Sequence, residues 1–378
     1  MLLGLAIVPI VIWLGLLLAR GGFWRMPYSE PKGTLPAPSP RVVAVIPARN
    51  EEAVIGRAIQ SLVAQEYPSQ LEIVVVDDGS TDGTAAAAQR AAPAGLLTIM
   101  RAAPLPPGWT GKVWALAEGI HKAQEMQPDY FLLTDADIVH PRDNLASLVV
   151  RAESGGYDLV SYMATLHCRS FAERALIPAF VLFFFMLYPP AWVRSKRRTT
   201  AGAAGGCMLI RRSRLERIGG VAAIANDLID DCALAREVKQ GGGRVWLGLS
   251  PETRSIREYA GFGEIGNMIS RSAFTQLRHS SLLLAGTILA MTITYFVPPV
   301  LTIYAACNGP SYLTALGGFG WLMMLVACFP VLRYYRVSPF WALLLPLIAA
   351  FYLGATVDSA VAHWRGRGGL WKGRTVTS

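Results

Sequence analysis

Charged side chains are scarce in this sequence, and long hydrophobic runs take their place. Asp, Glu, Lys and Arg make up 16% of the 378 residues, whereas 53% are hydrophobic. This balance excludes an ordinary soluble protein and predicts a soluble domain combined with membrane segments. The formal net charge is +9, but no basic run is interleaved with aromatic residues, so we expect no nucleic-acid surface. In a membrane chain this charge indicates anionic lipids or anionic substrates as partners.

Cysteine pairs and glycine-rich nucleotide motifs are also missing. The five cysteines are an odd number with wide spacing and no C-x-x-C pair, which argues against a zinc site or a disulfide framework. No G-x-G-x-x-G follows the first predicted strand, and no G-x-x-x-x-G-K-S/T occurs in the chain. The sequence therefore lacks the dinucleotide-binding and P-loop fingerprints.

The first apolar run, residues 1–19, has no Lys or Arg in front of it. A cleaved signal peptide needs such a residue and a small-residue cleavage site, whereas here Arg20 and Arg25 follow the run. We therefore predict a retained transmembrane anchor over 1–20. Residues 21–40 form a predicted linker, with five prolines between positions 26 and 40. The basic residues after the anchor are expected to hold the next domain in the cytoplasm.

Late apolar stretches predict a C-terminal transmembrane region over 281–362. Each approaches or exceeds the roughly 20 residues that a bilayer crossing needs; the three cover 281–307, 313–332 and 339–362. The loop at 308–312 has no Lys or Arg and is predicted outside. The tail, 363–378, is basic and favours the inside, but an anchor plus three full spans would place it outside. We therefore expect the last segment, broken by Pro346 and carrying Asp358, to be re-entrant or interfacial; the alternative is that the charge rule fails for this chain.

Two further segments are predicted to lie along the membrane surface. The stretch 171–193 is apolar, but a full span there would put Asp137 and the acidic pair Asp230 and Asp231 on opposite sides of the membrane. We therefore interpret it as an interfacial helix or the wall of a lipid groove. The segment 261–280 mixes apolar and basic residues, as interfacial helices do. A membrane lipid is expected to enter between these two helices; simple packing against the soluble domain is the alternative.

The soluble part, 41–260, alternates between predicted strands and helices. The strands are expected at 41–47, 71–78, 96–100 and 129–135. The helices are expected at 50–65, with Asn50 as the N-cap, and at 81–92 and 112–126. This alternation predicts an α/β fold with a mostly parallel sheet covered on both faces. In such sheets ligands bind beyond the carboxyl ends of the strands.

Two carboxylates, Asp135 and Asp137, end an apolar strand in the sequence "LLTDADI". Residues two apart on a strand point to the same side, so both can reach one point at the edge of the sheet. A solvated turn is the simpler interpretation, because Asp favours turns. A Mg²⁺ or Mn²⁺ ion carrying substrate phosphates is the functional one, since these ions prefer oxygen ligands. Two other strands with polar ends favour the functional interpretation.

Several motifs together resemble family 2 glycosyltransferases, which have the GT-A fold. They are "VVAVIPARNEE", "EIVVVDDGSTDGT", "GWTGKVWAL", "LLTDADI" and "LIDDCAL". The resemblance runs from about Arg41 to Pro251. The flanking apolar segments are similar to those of members that act on membrane lipids, and the chain is most similar to the hopanoid-biosynthesis-associated glycosyltransferases.

The resemblance implies how this chain would hold a nucleotide-sugar donor. Pro47, Arg49 and Glu51 match positions that line the nucleoside pocket in the family. Asp78 matches the residue that binds the base, which is expected to be uracil. Lys112 matches a residue that approaches the donor phosphates.

The same resemblance implies the catalytic groups. Asp135 would face the ribose and diphosphate and share the metal site, and Asp137 would ligate the metal. Asp231 matches the general base, which usually follows a Glu; here Asp230 replaces that Glu, so either of the two remains a candidate. One carboxylate opposite the leaving group suits a single displacement with inversion, because the acceptor hydroxyl must lose a proton.

The Gln-x-x-Arg-Trp motif of processive members is absent. The nearest stretch, "QLRHS", contains Gln276 and Arg278 without the Trp, so we expect no long polymer. These two residues and Arg271 are candidates for contact with the diphosphate or the acceptor. His121, His140 and His279 have no ligand-like spacing and are expected at solvated positions.

The resemblance therefore implies a membrane-bound inverting hexosyltransferase of the inner (plasma) membrane, multi-pass, with a cytoplasmic catalytic domain. The donor is expected to be a nucleotide-diphosphate sugar, a UDP-sugar first, and the acceptor a lipid such as a hopanoid. A polyprenyl-phosphate sugar transferase is the alternative within the same chemistry. A non-catalytic protein that binds lipid or a partner is the alternative from another class.

Overall fold

The chain folds into two units and passes between them several times. The computed structural model describes residues 2–26, 28, 30–309 and 311–367. One unit, called here the sheet unit, contains Pro27–His167 and Trp192–Arg257. The other, called the helical unit, contains the N-terminal segment to Met26, Cys168–Ala191 and, of the described residues, 258–367. Most of the predicted basic tail lies outside the described residues.

The sheet unit is built on eight strands in the order β3-β2-β1-β4-β7-β6-β8-β5. The strands are β1 Val42–Ala48, β2 Glu72–Asp77, β3 Leu97–Arg101, β4 Tyr130–Thr134, β5 Ile138–Val139, β6 Leu159–Thr165, β7 Cys207–Arg211 and β8 Val245–Ser255. The pairs β1–β2, β1–β4, β2–β3 and β6–β8 are parallel, whereas β7 runs antiparallel to β4 and β6, and β5 antiparallel to β8. The predicted α/β fold with a mostly parallel sheet is confirmed.

Fourteen α-helices occur in the described residues, seven of them wholly outside the sheet unit. In chain order they are α1 Leu2–Ala19, α2 Glu52–Val63, α3 Thr84–Gln89, α4 Gly111–Gln124, α5 Asn144–Gly155, α6 Phe171–Leu187, α7 Pro190–Arg194, α8 Arg212–Arg217, α9 Asp230–Gln240, α10 Phe262–Gln276, α11 Ser281–Met291, α12 Val297–Cys307, α13 Tyr312–Tyr334 and α14 Leu345–Trp364.

Helices cover both faces of the sheet, as the nearly continuous apolar strands require. All seven residues of β1 are buried. On one face, Ile46 of β1 belongs to the same core cluster as Ile55 and Ile59 of α2. On the other face, α4 lies so close that a Cβ on Gly119 would be 2.5 Å from Cγ1 of Val45. The strands therefore have fixed positions, and so do the loops at their carboxyl ends.

Asn50 is not the N-cap of the first helix of the sheet unit. The helix begins at Glu52, and Glu51 occupies the cap position. Asn50 instead adopts a left-handed backbone with φ of 52°, which Asn tolerates better than most residues. Its side-chain oxygen accepts a hydrogen bond from the backbone N–H of Thr81 at 2.9 Å. Asn50 thus joins the loop after β1 to the loop after β2.

Five helical segments are long and apolar enough to cross a membrane. They are Leu2–Ala19, Phe171–Arg194, Ser281–Cys307, Tyr312–Tyr334 and Leu345–Trp364. The segment 339–362 is interrupted just before Pro346: a 3₁₀-helix covers Pro339–Ala342 and α14 begins at Leu345. Pro346 therefore lies in the first turn of α14, where no intrahelical N–H bond is lost. The number of full spans and the interfacial placement of 171–193 and 261–280 stay predictions.

Specific polar contacts tie the helices of the helical unit together. The indole N–H of Trp13 in α1 donates to the carbonyl of Thr294 at 3.0 Å. The hydroxyl of Tyr352 in α14 donates to the carbonyl of Leu176 in α6 at 2.9 Å. Such bonds satisfy polar groups among apolar side chains. They also show that α6 packs among the helices of its own unit.

Candidate active site

The loops after β1, β2 and β4 meet at one edge of the sheet. The register pairs Ala48 with Asp77 and Val45 with Leu133, so the three parallel strands end near the same level. The backbone N–H of Asp78 donates to the carbonyl of Ala48 at 2.8 Å and continues this pairing past the end of β2. The polar residues that follow the three strands are therefore neighbours, as the sequence predicts.

The residues expected to hold the nucleoside lie together. Pro47 is near the end of β1, and Arg49 donates from Nη1 to the carbonyls of Asp78 and of Gly79, the latter at 3.1 Å. Asp78 is 1% exposed, and its Oδ2 lies 3.9 Å from Arg49 Nη1. Arg49 thus fixes the loop after β2 through its backbone, so the loop is preformed.

Lys112 connects two of the predicted acidic groups. It lies in the first turn of α4, whose N-cap Thr110 accepts a hydrogen bond from a backbone N–H at 3.4 Å. Its Nζ is 3.0 Å from Asp135 Oδ1 and 3.2 Å from Asp230 Oδ2. Burial alone would lower the pKa of Lys112, but the charges of Asp135, Asp230 and Asp231 outweigh it and raise the pKa above its usual value. Lys112 is therefore a permanent cation.

Asp231 begins α9 beside Asp230 but has different partners. Its Oδ2 accepts from the backbone N–H of Gly205 at 2.8 Å, and its Oδ1 from that of Cys232 at 2.7 Å. Burial raises the pKa of Asp231 to about 6, and the charge of Asp230 adds to this effect while Lys112 opposes it. A carboxylate with a pKa near neutrality is suited to take a proton.

Gly205 belongs to a run of small residues, "TTAGAAGG", that precedes β7. A Cβ at this position would lie 3.2 Å from Lys112 Nζ and 3.4 Å from Asp231 Oδ2. Its backbone can therefore approach both charged groups closely only because the side chain is a hydrogen. Close packing accounts for this glycine.

Asp137 has two partners that sequence reasoning missed, Arg257 and Ser255. Arg257 Nε donates to Asp137 Oδ2 at 3.2 Å, and Ser255 Oγ donates to the same oxygen at 2.7 Å. Arg257 Nη2 also donates to both carboxylate oxygens of Glu51 at 2.7 Å. Burial, then the charge of Asp135, raises the pKa of Asp137. The only sequence signal for these residues is a polar run at the end of β8, which matches no motif.

The carboxylate oxygens of the site are ligands that suit a hard divalent cation. The ion pairs and charge interactions of the site involve six carboxylates and three cationic side chains; the set is Glu51, Asp78, Asp135, Asp137, Asp230 and Asp231 with Arg49, Lys112 and Arg257. This excess of negative charge would repel a diphosphate unless a cation accompanies it. Within the described residues no group of three or more His, Cys, Asp or Glu side chains could hold a metal ion. The ion would take its remaining oxygen ligands from phosphates and water, as Mg²⁺ commonly does.

A buried polar network lies under the Asp135–Asp137 turn, and His140 is at its centre. His140 is 4% exposed, so the predicted solvated position is wrong. Its Nε2 is 3.0 Å from Thr134 Oγ1, and Nδ1 is 3.0 Å from Asn144 Nδ2. Because the Thr134 hydroxyl donates to the carbonyl of Gly206 at 2.8 Å, it accepts from His140, which therefore carries its proton on Nε2. Burial lowers the pKa of His140 to about 4.

Gln276, Arg278 and Arg271 belong to the helical unit. Gln276 ends α10, and its Oε1 accepts from the hydroxyl of Tyr188 at 2.8 Å. Arg278 follows in a left-handed turn with φ of 52°. Their contact with the diphosphate or the acceptor stays a prediction.

Comparison with known proteins finds similarity to glycosyltransferases. Residues 43–219 match the family model described as "Glycosyl transferase family 2". Over 204 residues the chain is 28% identical to the probable glycosyltransferase YdaM of Bacillus subtilis (strain 168), covering 53% of this chain and 45% of that protein. Over 50 residues it is 48% identical to the beta-monoglucosyldiacylglycerol synthase of Synechocystis sp., covering 13% of this chain and 10% of that protein. The chain thus spans less than half the length of these relatives.

A solved structure is similar over nearly the whole chain. The mannosyltransferase PcManGT from Pyrobaculum calidifontis, in complex with GDP-Man and Mn²⁺, superimposes with a TM-score of 0.58. The alignment covers 96% of this chain and 99% of that one at 21% sequence identity. At this identity the likeness concerns the fold alone, which is of the GT-A type.

Proposed function

Because residues 43–219 match the model of glycosyltransferase family 2, we propose that the protein transfers a sugar from a nucleotide-diphosphate donor to a lipid in the membrane. The single observation that carries this proposal is the cluster at the sheet edge, where Lys112 lies 3.0 Å from Asp135 and 3.2 Å from Asp230. Sugar transfer needs three kinds of group, and this cluster offers each of them. They are a cation for the phosphates, an acidic turn for a metal ion and a carboxylate with a raised pKa.

Donor binding is assigned to the loops after β1 and β2. Asp78, held by the backbone and close to Arg49, offers a carboxylate to the base, and we propose a UDP-sugar as the first donor to test. Lys112 then faces the diphosphate together with Asp135. A Mg²⁺ or Mn²⁺ ion at Asp137 and Asp135 would neutralise charge on the nucleotide leaving group.

Proton removal is assigned to Asp231. Asp230 is ion-paired with Lys112 at 3.2 Å, so its charge is committed to holding that cation. Asp231 instead accepts only backbone N–H bonds among the hydrogen bonds that we describe for it. Its pKa of about 6 leaves it mostly ionised at neutral pH. A single carboxylate acting on the acceptor hydroxyl implies inversion at the sugar.

The lipid acceptor is supported by the composition of the helical unit. Five helical segments among the described residues are long and apolar enough to cross a membrane. The catalytic domain is therefore expected at the cytoplasmic surface of the inner membrane. The names of two similar proteins, a glucosyldiacylglycerol synthase and a 4,4'-diaponeurosporenoate glycosyltransferase of Staphylococcus aureus, point to lipids. We propose an amphipathic lipid with a hydroxyl, with hopanoids as the first class to test.

The experiment incubates membranes that contain the full chain with a panel of labelled UDP- and GDP-sugars. We expect label from one donor to enter the chloroform-soluble fraction, and mass spectrometry of that fraction to show a hexose on a lipid hydroxyl. A lipid product that releases its sugar in mild acid, as glycosyl phosphates do, would favour the polyprenyl-phosphate alternative. No labelled lipid with any donor would contradict the proposal.

A further inference from the structure

The guanidinium of Arg257 lies between two carboxylates from different parts of the sheet edge. Nη2 donates to both oxygens of Glu51 at 2.7 Å, and Nε donates to Asp137 Oδ2 at 3.2 Å. Glu51 precedes α2, Asp137 follows β4, and Arg257 follows β8. This contact therefore joins three segments that are more than 80 residues apart in the chain.

Both carboxylates are largely removed from water. Glu51 and Asp137 are each 9% exposed, and Asp135 adds a third negative charge two residues from Asp137. Buried carboxylates repel each other and need a cation to stay ionised. Arg257 supplies that charge, and it does so at the residue expected to bind the metal.

The second cation of the site serves other groups. Lys112 is paired with Asp135 and Asp230 at 3.0 and 3.2 Å, and no contact that we describe joins it to Asp137. A metal ion at Asp137 would therefore compete with Arg257. The competition involves the oxygen Oδ2, which already accepts hydrogen bonds from Arg257 and from Ser255.

We propose that Arg257 is a built-in counter-ion that opposes binding of a divalent cation at Asp137 until a nucleoside diphosphate arrives. This inference rests on the proposed function, because the diphosphate is the anion that would give the guanidinium a new partner. Arginine is suited to this exchange, since its planar donors match the geometry of both carboxylate and phosphate. The metal then enters efficiently only with the donor, which prevents an idle ion from occupying the site.

The test measures Mn²⁺ binding to the purified full chain by electron paramagnetic resonance, with the metal alone as the probe. We expect Arg257→Met to bind Mn²⁺ about tenfold or more tightly than the wild type, since an adjacent Arg lowers the proton affinity of a carboxylate by roughly one to three decades and opposes Mn²⁺ in the same direction. Arg254→Met is the matched control. It removes the same charge from β8, but Arg254 Nε contacts only the carbonyl of Pro251 among the described contacts, so Mn²⁺ affinity should stay within about threefold of wild type.

Two further measurements keep the proposal falsifiable. Arg257→Lys keeps the positive charge, so the variant should fold. Because a lysine cannot bridge both carboxylates, its Mn²⁺ affinity should lie between those of the wild type and Arg257→Met. Adding UDP or GDP should strengthen Mn²⁺ binding in the wild type far more than in either Arg257 variant. Equal Mn²⁺ affinity of wild type and both variants overturns the proposal, as does an equal effect of the nucleotide on all three. Absent sugar transfer with the expected Mn²⁺ behaviour would instead count against the proposed function alone.

Discussion

Asp230 and Asp231 are adjacent residues with different chemical surroundings. The structure pairs Asp230 with Lys112 and leaves Asp231 with backbone donors and a raised pKa. The sequence alone left both as candidates for the general base. The difference arises because the first turn of a helix points consecutive side chains in directions about 100° apart, which only the fold can assign to partners.

Replacement of these two aspartates by Asn should separate their roles. Asp231→Asn removes the basic group at constant volume, so kcat should fall about 10²–10⁴-fold with the donor KM little changed. Asp230→Asn removes a partner of Lys112 and should chiefly raise the donor KM. Steady-state kinetics with the identified donor checks both. A dead Asp230→Asn beside a near-normal Asp231→Asn would reverse the assignment.

The pH dependence of transfer should report the pKa of Asp231. The base acts in its ionised form, so kcat/KM should rise with pH through about 6 and level off above it. The residual activity of Asp231→Asn should lack this rise. A wild-type profile that is flat between pH 5 and 7 would show that another group takes the proton.

Protonation of His140 should destabilise the fold in mild acid. Its pKa is about 4 in the folded protein against 6.5 for an ordinary histidine, so the unfolded chain binds the proton more readily. Stability is therefore full above pH 6.5 and decreases by about 3 kcal/mol as the pH falls to 4. His140→Gln, which does not titrate, should show a smaller drop in melting temperature between pH 7 and 5. An equal drop in both proteins would exclude this cause.

Sequence reasoning found residues that belong to motifs and missed those held by distant partners. Asp135, Asp137 and Lys112 follow strands or begin helices in recognisable patterns, and Lys112 and Asp135 do meet at 3.0 Å. Arg257 contacts Glu51 across 206 positions, and nothing local marks it. The sequence around His140 does not show that it is buried. Its surroundings depend on Asn144 and on Gly206, which precedes the distant strand β7.

Helix α4 carries Lys112 at its first turn and packs on the sheet through Gly119. A Cβ there would lie 2.5 Å from Val45 Cγ1 and 2.8 Å from Val76 Cγ2, inside a core with little room to adjust. Gly119→Ala should therefore lower stability by about 1–3 kcal/mol and displace Lys112, raising the donor KM.

Gly56→Ala is the matched control for this change. Gly56 lies within α2, and the nearest atom to its Cβ would be a carbonyl oxygen at 3.8 Å. This substitution should be neutral or stabilise the helix by up to about 1 kcal/mol. Thermal melting of both variants checks the pair. Equal melting temperatures would show that α4 can shift on the sheet without cost.

The elements of the sheet unit were predictable where local patterns dominate. β1, β2 and β4 are β-branched or apolar runs between polar turns, and their predicted ranges agree with the structure within a few residues. The antiparallel direction of β7 was not predictable, since direction depends on the path of the chain between strands. The break predicted at Pro346 is the start of α14 and not a kink within a helix; a proline inside an apolar run has the same sequence signature in both cases.

The orientation of the whole molecule can be tested with a native cysteine. Cys307 ends α12 beside the loop predicted outside and is exposed, whereas Cys207, Cys232 and Cys328 are buried. A membrane-impermeant maleimide should label wild-type protein in intact cells, and Cys307→Ala should abolish that labelling. Labelling that requires permeabilised cells would place the loop inside and invert the predicted topology.

The central claim is that this chain transfers a sugar to membrane lipid with a metal-assisted site at Asp137. The most direct measurement is the initial rate at which labelled sugar from the identified donor enters the chloroform-soluble fraction. We expect the wild type to incorporate label with Mn²⁺ or Mg²⁺ and to stop in chelator, and folded Asp137→Ala to incorporate none. Incorporation by Asp137→Ala in chelator at the wild-type rate would contradict the account.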